Sequence, residues 1–183
     1  MIQRINIYRI VKDHLKTLRS LNQSYNFINI GDFLLFFIIP SVISLTLTLL
    51  NYNFINQLDN LIASISILGG FLFNLLAIIY SQIENIKIDV QKLGDSDKNK
   101  IEKRIKNKFI NEIHSNISFA IILSIFLILS LLSITIDIPE FKYKTIIEHI
   151  FIFINYFLMQ LFTLTLLMII NRIYILFKKT ADK

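Results

Sequence analysis

The stretch "SILGGFLFNLLAIIYSQ", Ser66 to Gln82, contains no charged residue, yet it carries two adjacent glycines and an asparagine among leucines and isoleucines. Its parent run, Leu61–Tyr80, is 20 residues without Asp, Glu, Lys, Arg or His. About 20 such residues in a helix cross the roughly 30 Å of hydrocarbon in a bilayer. Three further runs have the same character: Phe33–Leu50, Ser115–Ile136 and Ile150–Ile170, of 18, 22 and 21 residues. Backbone groups in lipid must be hydrogen-bonded internally, and the ten-residue alternation of a membrane β-barrel is absent. The expected fold is therefore an all-α integral membrane protein with four transmembrane helices, TM1 to TM4.

Charge sets the expected orientation. Of 19 Lys and Arg residues, five lie in residues 1–30, eight in 81–114 and four from Arg172 onward; only Lys142 and Lys144 lie in the other connections. Short basic segments stay on the cytoplasmic side. Both termini and the central loop are expected inside, in a multi-pass protein of a bacterial inner membrane; the Ile, Asn, Lys and Phe usage has the flavour of an AT-rich genome. The five expected segments are a basic amphipathic helix at 1–30, a TM1–TM2 hairpin at 31–80, a cytoplasmic helical hairpin at 81–113, a TM3–TM4 hairpin at 114–177 and a tail at 178–183. No cleavable signal-peptide pattern is present.

The net charge of +6 does not call for a nucleic acid, because Glu84, Asp89, Asp95, Asp97, Glu102 and Glu112 interleave with the lysines of the central loop. With no cysteine there is no disulfide or thiolate site. The apolar runs hold no titratable group for coupled transport, and Asp32 reads as a helix cap at the start of TM1. No nucleophile–base pair, phosphate loop or metal-ligand cluster appears, so neither an enzyme nor a cofactor or metal is expected. "RIVKDH", Arg9 to His14, has the R-x4-H spacing that resembles the HEPN ribonuclease motif, but it places Arg9 on the basic face and His14 on the apolar one.

The uncharged polar residues form stripes. Ala63, Ser66, Gly70, Asn74, Ala77 and Ser81 recur at helical spacing on one face of TM2, where small side chains allow close approach and Asn74 can hydrogen-bond across a contact. TM1 offers Ser41, Ser44 and Thr48 beyond a kink expected at Pro40, and TM4 offers Tyr156, Gln160, Thr163 and Asn171. Such stripes suit helix packing, within the chain or between copies, or the wall of an uncharged pore. The first candidate partner for the TM2 face is TM1 of the same chain. In the central loop Ile83, Ile86, Val90 and Leu93 space as a coiled-coil seam, "GDSD" at 94–97 supplies a turn, and Ile101, Ile105, Phe109 and Ile113 line the returning helix. Lys103, Arg104 and Lys106 are candidate docking residues for a cytoplasmic protein partner. The face of Ile7, Ile10, Val11, His14, Leu18 and Leu21 suits a helix on the inner leaflet or packed on the hairpin.

The glycine- and asparagine-bearing span "ILGGFLFNLLAIIY", the charged hairpin "KLGDSDKNKIEKRIKNKF" and "SNISFAIILSI" at the start of TM3 are together similar to small membrane subunits of bacterial anti-phage, abortive-infection systems. The resemblance is architectural and covers the whole chain; four spans set it apart from the two-span SLATT effectors. It implies a homo-oligomer that gates or perturbs the membrane when a cytoplasmic partner signals.

Overall fold

The computed structural model describes residues 6–18, 30–52, 54–92, 97–136, 139 and 142–181, with helix course alone for 82–92, 97–106 and 176–181. The described chain is all-helical: α1 (Ile7–Thr17), α2 (Ile30–Phe33), α3 (Ile39–Leu49), α4 (Leu58–Lys92), α5 (Asp97–Ile134) and α6 (Lys144–Ala181), with a π-turn at Leu34–Ile38 joining α2 to α3. Four stretches are long and apolar enough to cross a membrane: Ile30–Leu49, Ile55–Ser81, Asn107–Ile134 and Lys144–Ile175. At 35 and 38 residues, α4 and α5 run about 50 Å or more, well past a 30 Å hydrocarbon layer. Residues 81–92 and 97–113 of the expected hairpin thus continue two spans as helix, and the turn expected at 94–97 lies mostly outside the described residues.

The first span changes its hydrogen-bonding at Pro40. Proline has no N–H for the carbonyl one turn back. The chain answers with a wider turn before it, in which the Ile39 N–H reaches back to the Leu34 carbonyl. Ser41 donates its hydroxyl proton to the Phe37 carbonyl at 2.6 Å. The span ends at Asn51, whose φ of 52° lets the Tyr52 N–H fold back onto the Leu47 carbonyl at 3.1 Å. Asparagine tolerates this left-handed position better than other non-glycine residues.

Lateral order is the least expected feature. α4 packs on α5, α5 on α6 and α6 on α3, while α1 lies on α5. α3 and α4, successive along the chain, share no contact. The segment 31–80 therefore holds two spans at opposite ends of a row, not a packed pair. α5 sits in the middle and supplies much of the core, including Ile113, Ile117, Ala120, Leu127 and Leu131.

The α4–α5 contact has coiled-coil logic. Ile65, Gly69, Leu72 and Ile79 are buried, and Leu76 packs against the same core. Their spacings of four, three, four and three continue in register into Ile83, Ile86, Val90 and Leu93, the seam foreseen for the hairpin. The described helix follows that phase as far as Lys92, and the side chains beyond Ser81 lie outside the described residues. On the facing helix Phe109 and Ile113 are buried as the returning stripe requires.

Candidate functional site

Each polar stripe meets a different fate. On the first span, Phe36 of the π-turn and Pro40, Ser44 and Thr48 of α3 form a buried face, with both elements in contact with α6. Gln160 of α6 donates to the Ser44 hydroxyl oxygen at 2.9 Å, and Thr48 donates to the Ser44 carbonyl at 2.8 Å. Two of the candidate pore positions, Ser44 and Gln160, therefore satisfy each other inside one chain. Ser41 is half-buried beside the π-turn, and Thr163 faces outward while donating to the Met159 carbonyl at 2.9 Å. Tyr156 donates to the Tyr52 carbonyl at 3.1 Å, tying the turn after α3 to α6, and Asn171 is exposed.

The TM2 stripe is left uncovered. Ala63, Ser66, Gly70, Asn74, Ala77 and Ser81 are all exposed, on the side of α4 roughly opposite the heptad seam. TM1 does not cover it, because α3 and α4 do not touch. The two glycines play opposite parts: a Cβ at Gly69 would lie 3.1 Å from the Ser124 hydroxyl of α5, whereas one at Gly70 would meet nothing within 4 Å. Sequence spacing had put the close approach at Gly70; within the chain it is at Gly69.

Hydroxyls on outward faces satisfy themselves. Ser66 donates to Ile62, Thr46 to Val42 and Ser133 to Leu129, each to the carbonyl four residues back. Asn74 is different. Its amide has no hydrogen-bond partner among the described residues, although it sits seven residues inside the Ser81 end of the span.

A second polar constellation lies where α1 meets the spans. His14 is only 2% exposed, stacked on Phe119 at 3.8 Å between ring centroids, with Nδ1 donating to Asn116 Oδ1 at 3.0 Å. The Thr17 hydroxyl lies 2.7 Å from both Asn116 Oδ1 and the His14 carbonyl oxygen. From α6, Arg172 donates to Glu112 of α5 and, at 2.8 Å, to the Thr17 carbonyl at the end of α1. That carbonyl is one of those a helix C-terminus leaves unpaired, so a cation there is favoured. Burial pushes the His14 pKa down to about 4; the bond to Asn116 opposes this and the Arg172 charge adds to it. The ring is neutral at ordinary pH.

The solvent face of α1 closes the account of "RIVKDH". Arg9 is exposed 3.9 Å from Asp13, and Lys16 binds the same carboxylate at 2.7 Å, which holds its pKa below the usual range. His14 points the other way into the core, so the two residues do not converge on a phosphate. α1 is helical because Asn6 caps the Arg9 N–H at 3.1 Å and because its apolar face has a surface to cover. Of the two placements open for this helix, the structure puts it against α5, at the span end of the hairpin. Leu21 lies outside the described residues, as do the side chains of Lys103, Arg104 and Lys106, so their docking role rests on sequence.

The node is nearly invisible in sequence. Only His14 was placed on the apolar face; Asn116 reads as a helix residue at a span boundary, and Glu112 and Arg172 read as boundary charges. Among the described residues no group of three His, Cys, Asp or Glu side chains could hold a metal ion. No protein-family model matches the chain, and no curated protein or solved structure matches it.

Proposed function

We propose that this chain works as a homo-oligomer in a bacterial inner membrane, with both termini cytoplasmic, and that the assembly is a channel-like or membrane-disrupting effector of anti-phage defence. The observation that carries this reading is Asn74. An amide with no hydrogen bond costs on the order of 2–7 kcal/mol in an apolar medium, so its face of α4 needs a polar partner. A second copy supplies one, because an amide both donates and accepts and two asparagines can pair across a two-fold axis. Ala63, Ser66, Gly70 and Ala77 keep that contact close. The charge-free runs at the centre of the spans hold no carboxylate for ion coupling, and so support a passive conductive path or loss of the barrier.

A scaffold reading has one observation in its favour. The Ser44–Gln160 bond spends two of the candidate pore-lining groups on packing within one chain. In that reading the spans anchor, and the hairpin at 81–113 recruits a cytoplasmic protein through Lys103, Arg104 and Lys106.

Asn74→Leu separates the two readings. In the effector reading it removes both the crosslinked oligomer and the depolarisation caused by overexpression, at unchanged levels of inserted protein. In the scaffold reading it is silent, and charge reversal at Lys103, Arg104 and Lys106 abolishes function instead. Native protein that never alters conductance, in cells or planar bilayers with its trigger present, would sink the effector reading.

A further inference from the structure

The His14 node is independent of any oligomer, since all its members belong to one chain. It joins three elements at one point: His14 and Thr17 of α1, Asn116 and Phe119 of α5, and Arg172 of α6. Nothing in a merely amphipathic helix calls for a histidine there; leucine would fill the site without asking for a hydrogen bond. Histidine differs in that it can take a second proton.

Among the described residues the docked pose has no place for that proton. In neutral His14 the Nδ1 proton is already given to Asn116 Oδ1, and Nε2 has no hydrogen-bond partner among the described residues. The charged groups around the ring offer no free anion. On its own helix Asp13 is held by Lys16 and Arg9. On α5, Glu112 is engaged by Arg172, while Lys108 and His114 carry positive charge or none. Arg172 itself presses from α6 as a cation. A charged imidazolium in this setting is buried, unpaired and repelled. Solvent comes close to the node, because a groove of about 920 Å³ between α1 and α5 is lined by Thr17 and Glu112, two of its members.

We propose that α1 is a proton-releasable clamp: it stays docked across α5 and α6 while His14 is neutral and lets go when the ring takes up a proton. Release would expose the Phe119 face of α5 and leave Arg172 without the Thr17 carbonyl. The clamp works in the same way whether or not the chain conducts.

The sign follows from linkage. The docked ring has a pKa of about 4 and a free histidine about 6.5, so the released state binds more protons between those values. Docking is at full strength above pH 6.5 and weakens as pH falls from 6.5 toward 4. From pH 7.5 to pH 5 the released fraction rises about 30-fold.

The chain has no native cysteine, so a single introduced one can report release. Leu18→Cys places a thiol at a site 3% exposed at the end of α1; Tyr8→Cys, at a site 74% exposed on the same helix, serves as the reference for the pH dependence of the thiol itself. The full chain is reconstituted in liposomes and labelled with a water-soluble thiol reagent, and the rate ratio of the two variants is followed with pH. The expected ratio rises about 30-fold from pH 7.5 to pH 5 with His14 present. It stays flat in His14→Phe, which keeps a ring against Phe119, and in His14→Gln, which keeps a polar side chain. A flat ratio with His14 present overturns the clamp, as does an equal rise in both substituted chains.

Discussion

The glycine pair in TM2 allows a test in which adjacent residues must behave differently. At Gly69 an added Cβ comes within 3.1 Å of the Ser124 hydroxyl oxygen and 3.8 Å of its Cβ. Ser124 cannot easily turn away, because it is buried and donates to the Ile121 carbonyl at 2.8 Å. Alanine at 69 asks α5 to give by a few tenths of an ångström, and its better helix propensity, worth about 1 kcal/mol at most, roughly offsets that strain. Leucine has no such offset. It drives further carbons into the seam and should cost about 1–3 kcal/mol through overpacking of the α4–α5 contact. At Gly70 the added atom meets nothing, so neither alanine nor leucine should destabilise the single chain. The assay is unfolding by a denaturing detergent at a dilution where the chain is monomeric, followed by loss of helical circular dichroism. Gly69→Leu should lower the midpoint clearly and Gly70→Leu should not. Crosslinking at high density should reverse the contrast, with Gly70→Leu losing the oligomer. A Gly70→Leu monomer as destabilised as Gly69→Leu would refute the assignment of the two faces.

Three further outcomes are expected. Arg172→Met leaves Glu112 and the Thr17 carbonyl unpaired near the core and should cost about 3 kcal/mol, seen as faster hydrogen exchange along α1; adding Glu112→Leu should restore part of it. Gln160→Leu removes the bond to Ser44 and should weaken the α3–α6 contact by about 0.6–1.7 kcal/mol in a membrane, with a double-mutant cycle against Ser44→Ala giving the coupling. Reporter fusions at Lys183 and within Asp95–Lys100 should read as cytoplasmic and one at Lys142 as external; a cytoplasmic Lys142 would overturn the orientation.

The spans were legible because hydrocarbon imposes one rule on every side of a helix. The charge-free run Leu61–Tyr80 becomes the core of Ile55–Ser81, and Ser115–Ile136 that of Asn107–Ile134, with boundaries moved by up to eight residues where polar helix continues the apolar one. The helix course past Ser81 was legible for a related reason, since Ile83, Ile86 and Val90 keep the heptad phase of Leu72 and Ile79. Neighbour choice was not legible. Lipid is as apolar as leucine, so nothing in composition says whether Ser44 should meet TM2 or TM4. The close approach at Gly69 was not legible because Gly69 and Gly70 stand about 100° apart, and spacing favours whichever stripe has more small members. The node was hidden because its bonds link residues about 60 to 155 positions apart, which no local pattern records.

The row order also bears on how the chain is made. Ser44 and its partner Gln160 are 116 residues apart, and α6 is the last of these four spans to leave the ribosome. At about 5–20 residues per second, TM1 waits some 10 s in the membrane before the helix that covers it exists. Throughout that wait its buried-face hydroxyls have a local refuge, as Thr48 shows by bonding the carbonyl one turn back. A chain halted before residue 144 never covers Phe36, Pro40, Ser44 and Thr48, so the first of these four spans to be synthesised is the last of them to be locked in place, and the one of the four that a membrane protease would find first.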